Sequence, residues 1–282
     1  MKNNLTFVIF SFNEEKRIRW VIENLKWFWE ILIIDNFSTD NTKNIAEELW
    51  ARVAQYKNPW YVETKEELEF VKLNVFTEYM TWSFCDWAWP KALLNKISEI
   101  TNENIVDCID TIQYNYHYWL ENLNFLTFFW WFWKNNWKWF NVVFKIKCIK
   151  IEWLIHSNLK IEWSSIYKLP REKDYYIHHL SVYNVWKFEL AHNRYSNIES
   201  QMLFNSWIKS SLPKTILKII YFFIKFYFVE WWYKSWKKWF IMVMQYMFFY
   251  FNVWAKQYEL DNNITIESIE DNYNNIKLKI TE

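Results

Sequence analysis

The sequence predicts an α/β protein built on an open parallel sheet, and three observations lead there. Leu5–Phe10 and Ile31–Ile34 are short continuous apolar runs, the pattern of strands buried on both faces. Between and after them apolar residues recur at helical spacing, first at Ile18, Val21, Ile22 and Leu25, then at Ile45 and Leu49. Each run ends in turn chemistry, Ser11-Phe12-Asn13-Glu14 after the first, Asp35-Asn36 and Ser38-Thr39-Asp40 after the second. Strand, helix, strand, helix, strand is the order a parallel sheet with crossover helices needs.

The remaining elements follow in order. Ser38-Thr39-Asp40 supplies N-cap chemistry for a helix reaching Leu49, and Ala51–Gln55 reads as the third strand. Thr64-Lys65-Glu66-Glu67 is a capping box opening a helix to about Phe76. Tyr79–Phe84 reads as a strand ended by Cys85-Asp86, and Pro90 suits the first turn of the next helix. Ile112, Tyr114, Tyr116 and Tyr118 alternate with polar residues, as Phe144, Ile146 and Cys148 do with Lys145 and Lys147, so both stretches are expected to be half-exposed strands. After about Ile198 the composition shifts to two apolar runs, Ile216–Val229 and Phe240–Ala255, both short of the ~20 residues that span a bilayer. The lysines around them suit helices lying in the interface of an anionic membrane surface, and a helical subdomain packed on the sheet is the alternative. The expected organisation is therefore a catalytic-sized domain over 1–197, a helical segment over 198–260 and a polar, loosely ordered tail over 261–282.

Composition adds exclusions and one anomaly. A net charge of +1 over 282 residues gives no whole-chain attraction to nucleic acid. Cys85, Cys108 and Cys148 form no CxxC pair, so reduced thiols in the cytoplasm are expected. The six-residue apolar run after Met1-Lys2-Asn3-Asn4 is too short for a signal peptide. An average glycine content of roughly 7% would put about 20 in this length, yet there are none, and there are 23 tryptophans. Trp50 stands where an αL residue stops a helix, Trp60 completes Asn58-Pro59-Trp60 where a turn wants glycine, and Trp130 to Trp139 crowd a polar turn-like string. Lys, Asn and Ile abound, as in an AT-rich genome. Some bacteria read UGA as glycine. Most of these tryptophans are therefore expected to be glycine in the living protein, with Trp254, inside an apolar helix, a candidate for a genuine one.

In open α/β sheets the ligand lies beyond the carboxyl ends of the strands. Ser11, Asn13 and Glu14, then Asp35, Asn36 and Asp40, then Asp86 all fall there. Each alone is an ordinary cap or turn former, but together they mark a site. No P-loop or GxGxxG exists even with tryptophan read as glycine, which argues against an NTPase or a dinucleotide oxidoreductase.

TFVIFSFNEEKRI resembles the opening strand and Asn-Glu turn of family 2 glycosyltransferases, and EILIIDNFSTDNT resembles their second strand and Ser-Thr-Asp turn. Ile155-His156, KIEWSSIYKL with Trp163, His178-His179-Leu180-Ser181, HNRYSNIESQ and the tail holding Trp236 and Trp239 are similar to the lipopolysaccharide-core β-1,4-glucosyltransferase-like branch. The resemblance implies a GT-A-like, Rossmann-type three-layer αβα sandwich with a C-terminal helical segment. It implies hexose transfer, with inversion, from a nucleotide-sugar donor to a glycan or lipid-linked acceptor of the cell envelope; the expected location is cytoplasmic, and the lysine-flanked helices, where interfacial, would put it peripherally on the inner face of the cytoplasmic membrane.

Residue by residue, the resemblance makes Asp35 a partner of the nucleotide base, with Ser11, Asn13, Glu14, Asn36 and Asp40 around it and Lys72 a further donor-binding candidate. Asp86 becomes the last carboxylate of the Asp-x-Asp motif that holds Mg²⁺ or Mn²⁺ on the diphosphate, although Phe84 replaces the first. Inverting transfer needs a group to deprotonate the acceptor hydroxyl. Glu152, Glu162 and His156 lie in that part of the chain, and the branch's His-Glu pair reads His156-Ser157. Phe84 and Ser157 also motivate a rival, a catalytically degenerate binding protein of the same fold. A second rival is an aromatic-rich carbohydrate-binding or membrane-binding module.

Overall fold

The structure, a computed structural model, describes residues 4–26, 30–59, 64–117, 140–150, 160–161, 165–225, 228 and 237–281. It divides into two units, Met1–Ser181 and Val182–Glu282. Unit 1 holds β1 (Leu5–Ser11), α1 (Ile18–Leu25), β2 (Glu30–Asp35), α2 (Thr42–Glu48), β3 (Arg52–Gln55) and α3 (Lys65–Asn74). These are followed by β4 (Tyr79–Thr81), β5 (Ser83–Phe84), β6 (Trp87–Ala88), α4 (Lys91–Glu103), β7 (Cys108–Thr111) and β8 (Gln113–His117). Then come β9 (Phe140–Lys145), β10 (Ile149–Lys150), β11 (Lys160–Ile161), β12 (Ile166–Lys168) and β13 (Ile177–Val182). Unit 2 is helical, with α5 (Val185–Asn205), α6 (Leu212–Ile224), α7 (Lys237–Asp261) and α8 (Ile266–Thr281).

The main sheet runs β12-β7-β9-β4-β1-β2-β3, with β5 also paired to β1. β1 pairs in parallel with β2, β4 and β5, and β9 runs antiparallel between β4 and β7. Alternation along the central strands separates two cores. Phe7, Ile9, Ile31 and Ile33 face α1, α2 and α4 through Ile18, Ile22, Ala46, Leu93 and Ile97. Val8, Leu32 and Ile34 face α3 through Leu68 and Val71. Both strand faces are covered, so the sandwich has three layers, α/β/α, the GT-A-like class expected.

Local details explain the departures. Thr64 caps α3 by accepting from the Glu67 N–H at 3.1 Å, but Glu67 spends its carboxylate on the Asn58 amide at 3.1 Å rather than closing the box. The expected strand Tyr79–Phe84 is split at Trp82, which turns in to pack against Phe10 in a tilted pair with ring centroids 4.3 Å apart. At the break the Thr81 hydroxyl takes the Val8 N–H at 3.0 Å, in place of a strand carbonyl. Alternation at Phe144, Ile146 and Cys148 is strand only to Lys145, and Ile146–Cys148 is a 3₁₀ turn. The boundary expected at 197/198 falls inside α5, a continuous helix packed on α7, and the tail expected to be loose carries α8.

Candidate active site

Five parallel-sheet ends converge on one edge because β1, β2, β3, β4 and β5 all point the same way. The turn after β1 and the turn after β2 are laced together. Asn13, in the left-handed region at φ 55°, donates its N–H to the Ser38 hydroxyl at 2.9 Å, and its side-chain oxygen accepts from the Thr39 N–H at 2.8 Å. Asp40 accepts from the N–H groups of Glu15 and Thr42 at 3.2 and 3.0 Å, and the Thr42 hydroxyl accepts the Glu14 N–H at 2.6 Å. Burial raises the Asp40 carboxyl, but the bonds from Thr42 and Glu15 hold it below its ordinary value. Glu14 accepts from two of the three guanidinium nitrogens of Arg17, Nε and Nη2.

Asp35 is fully buried at the end of β2, and its oxygens accept from the Ser38 N–H at 3.0 Å, the Ser38 hydroxyl at 2.5 Å, the Gln55 amide at 3.1 Å and the Ser11 hydroxyl at 3.3 Å. It frames the turn from beneath. Asn36 exchanges two bonds with the Asn58 backbone, at 2.7 and 2.8 Å. Ser11, Asn13, Glu14, Asp35, Asn36 and Asp40 thus form one hydrogen-bonded rim. Lys72 does not join it. It lies in the last turn of α3, pairs with Glu69 at 3.2 Å, and is two residues from Asn74, whose carbonyl is held by Arg52 at the opposite end of β3.

Asp86 follows β5 directly. Its Oδ2 lies 3.3 Å from His179 Nε2, and its buried Oδ1 has no hydrogen-bond partner. Antiparallel pairing of β6 with β13 places His179 opposite Trp87, which brings the imidazole to Asp86. The Gln113 amide lies 2.6 Å from His179 Nδ1 on the other side of the ring. Burial raises the Asp86 carboxyl, but the His179 hydrogen bond and charge and the Arg17 guanidinium outweigh it, so the group is held below the usual carboxylate range. An ionised carboxylate with one orphaned oxygen and a histidine beside it is a donor set that suits a divalent cation. Among the described residues no third His, Cys, Asp or Glu completes it, and Phe84 packs on Phe10 and Trp87. His179 belongs to the His178-His179 pair that the sequence offered, without marking it as the partner of Asp86. Its only sequence signal is the His-His pair in an apolar strand, since the contact with Asp86 is set by sheet pairing. Glu152, His156 and Glu162 lie outside the described residues.

The sequence matches the family described as Glycosyl transferase family 2 over residues 6–153, just over half of the chain. No curated protein matches it. Among solved structures, S. aureus TarS 1–349 in complex with UDP-GlcNAc is 13% identical, with 71% of this chain and 66% of that chain covered and a TM-score of 0.49. Glucosyl-3-phosphoglycerate synthase from Mycobacterium tuberculosis, with Mn²⁺, UDP and glucosyl-3-phosphoglycerate, is 12% identical, with 74% and 82% covered and a TM-score of 0.47. The chain spans just under two thirds of the TarS 1–349 fragment and 40% of the chain in a second S. aureus TarS structure. With a three-layer sandwich, a laced rim at its carboxyl edge and a family match that runs through both, this chain belongs to glycosyl transferase family 2.

Proposed function

We propose that the chain transfers a hexose, with inversion, from a nucleotide-sugar donor to a glycan or lipid-linked acceptor in cell-envelope or lipopolysaccharide biosynthesis. The observation that carries this reading is Asp86, ionised at the carboxyl edge of the sheet with its Oδ1 unpartnered and His179 against its Oδ2. The Ser11, Asn13 and Asp35 rim offers the nucleoside a pre-formed polar wall, and the acceptor base falls to Glu152 or His156 by resemblance. Mg²⁺ or Mn²⁺ would be held by Asp86 and His179, and such an ion, when bound, neutralises charge developing on the departing nucleoside diphosphate. The three free cysteines suit a cytoplasmic setting.

The same reading includes the chemical identity of the chain, in which tryptophans at left-handed positions are glycine in the native protein. Trp50 and Trp207 have φ of 66° and 59° and are 96% and 90% exposed. Both close Schellman motifs. Trp50 N–H donates to the Glu47 carbonyl and Ala51 N–H to that of Ala46, both at 3.0 Å, and Trp207 and Ile208 donate likewise to Phe204 and Leu203. Asn263 closes α7 in the same way with φ 53°, as a residue tolerant of that conformation should.

The transfer reading is tested with Asp86→Asn, incubated with UDP-, GDP-, ADP- and dTDP-hexoses and envelope glycolipid extracts while nucleoside diphosphate release is followed. Loss on the order of 100-fold or more with an unchanged circular dichroism spectrum is expected. Wild-type release by the variant removes Asp86 from the chemistry. Donor binding without release in the wild type would instead identify a binding protein of the same fold.

A further inference from the structure

We propose that the outer face of α6 forms a docking surface for an anionic lipid bilayer. None of the thirteen residues of α6 is buried, although it is a strongly apolar helix. Leu212, Ile216, Ile220 and Ile224 make one row at four-residue spacing, 45 to 49% exposed, and Leu217 and Tyr221 widen it at 68 and 61%. The opposite side of α6 is engaged within the same unit, where Phe222 stacks on Tyr250 of α7 at 4.7 Å and Lys218 lies over that ring at 4.5 Å. On α7, Met242, Val243, Met247 and Val253 turn inward, while Phe240, Ile241, Phe248 and Phe251 stay 38 to 59% exposed. The stripe on α6 is the proposed surface.

Charge selects the occupant. From Ser200 to Tyr258 the sequence carries eight lysines, no arginine and one acidic residue, Glu230; Lys209 and Lys218 pair with Asp261 and Glu199 and Lys256 turns onto Asn193 and Ser196, so among the described residues Lys214, Lys225, Lys237 and Lys238 carry the argument. On α6, Lys214 flanks the apolar row, and a long lysine stem lets its ammonium group reach a headgroup layer while apolar side chains enter beneath it. A second copy of this surface would bring lysines against lysines. Among the described residues no helix is long and apolar enough to cross a membrane, so α6 would lie in the interface. This surface is independent of the sugar-transfer reading, because no residue of the Asp86 site belongs to it.

The test is flotation of the full chain with phosphatidylcholine vesicles, with and without phosphatidylglycerol, at low and high salt. Binding to the anionic vesicles at low salt is expected, weaker by roughly tenfold or more on neutral vesicles or at high salt. The double variant Ile216→Glu with Ile220→Glu changes side chains already about half exposed, and it should lose flotation by roughly tenfold or more while keeping its melting temperature. Lys214→Glu should reduce anionic binding alone. Equal flotation on neutral and anionic vesicles, a wild-type chain that stays at the bottom in every condition, or self-association that Ile216→Glu with Ile220→Glu abolishes without any vesicle binding would each overturn the proposal. Donor-dependent nucleoside diphosphate release, followed in parallel, separates failure of this surface from failure of the active site.

Discussion

Replacing Trp50 by glycine should stabilise the protein, an unusual expectation for the loss of a large aromatic side chain. A non-glycine residue held in the left-handed region carries roughly 1–2 kcal/mol of strain. Glycine removes it and adds about 0.4–1 kcal/mol of unfolded-state entropy. At 96% exposure the indole forfeits almost no burial, so the net gain is about 0.5–1 kcal/mol. For a domain of this size that corresponds to about 1–4 °C in melting temperature. Trp207→Gly, at the end of α5, should add a similar increment in free energy, and the two should sum because the sites lie in different units. Trp50→Ala is the informative comparator. It removes the indole but keeps Cβ, and with it the strain. Thermal and urea melts of the four proteins, followed by far-ultraviolet circular dichroism, give the answer. A gain in Trp50→Ala equal to that in Trp50→Gly would show that the indole, not the backbone, was the burden, and no gain in Trp50→Gly would refute the argument. The paired observation on native material is peptide mass spectrometry, where glycine is expected at positions 50, 60 and 163.

Two further expectations rest on the rim and on the histidine pair. Asp35→Ala leaves four donors without an acceptor, so it should cost about 2–4 kcal/mol of stability as well as raising the donor KM more than it lowers kcat; a variant with unchanged melting temperature would show that those bonds carry no weight. Burial depresses the His178 imidazole, so the unfolded chain takes up its proton more readily and stability should decline as pH falls below about 6.5, a slope that His178→Gln flattens. The depressed carboxyls of Asp86 and Asp40 add no slope there, since their contributions persist above about pH 4 and are lost only as pH falls through their lower folded values. A flat wild-type profile between pH 7 and 5 would contradict the first part.

Legibility in the sequence followed the range of the interactions. Local signals read well. The apolar runs of β1 and β2, the helical spacing in α1 and the Thr64 cap all reappear as expected, because a few neighbouring residues determine them. The six rim residues were legible too, since strand ends in a parallel sheet must share an edge. The Asp86–His179 contact was not, because it depends on which strands pair. Lys72 failed for a related reason. Helical phase shows that it sits on α3 but not which end of the sheet that turn meets. Trp82 broke a strand that alternation alone would have continued. The expected tail became α8, although nearly every residue in it is exposed, because periodicity there is too weak to announce a helix without a core to bury.

The lacing of the two turns has a consequence for how a ligand is received. Thr39, Ser38, Asp40 and Thr42 from one side meet Asn13, Glu14 and Glu15 from the other through five or more hydrogen bonds, so neither loop can rearrange without breaking contacts in both. The conformational entropy of this wall is therefore surrendered during folding, before any ligand arrives. On the proposed reading, a nucleoside would have little ordering left to impose on it, and more of each contact would survive as net affinity. Elsewhere on this edge His179 stands between an amide and a carboxylate, with Gln113 at its Nδ1 and Asp86 at its Nε2. The rim is thus a surface whose shape is set at folding, with no loop left to close over it from its own two turns.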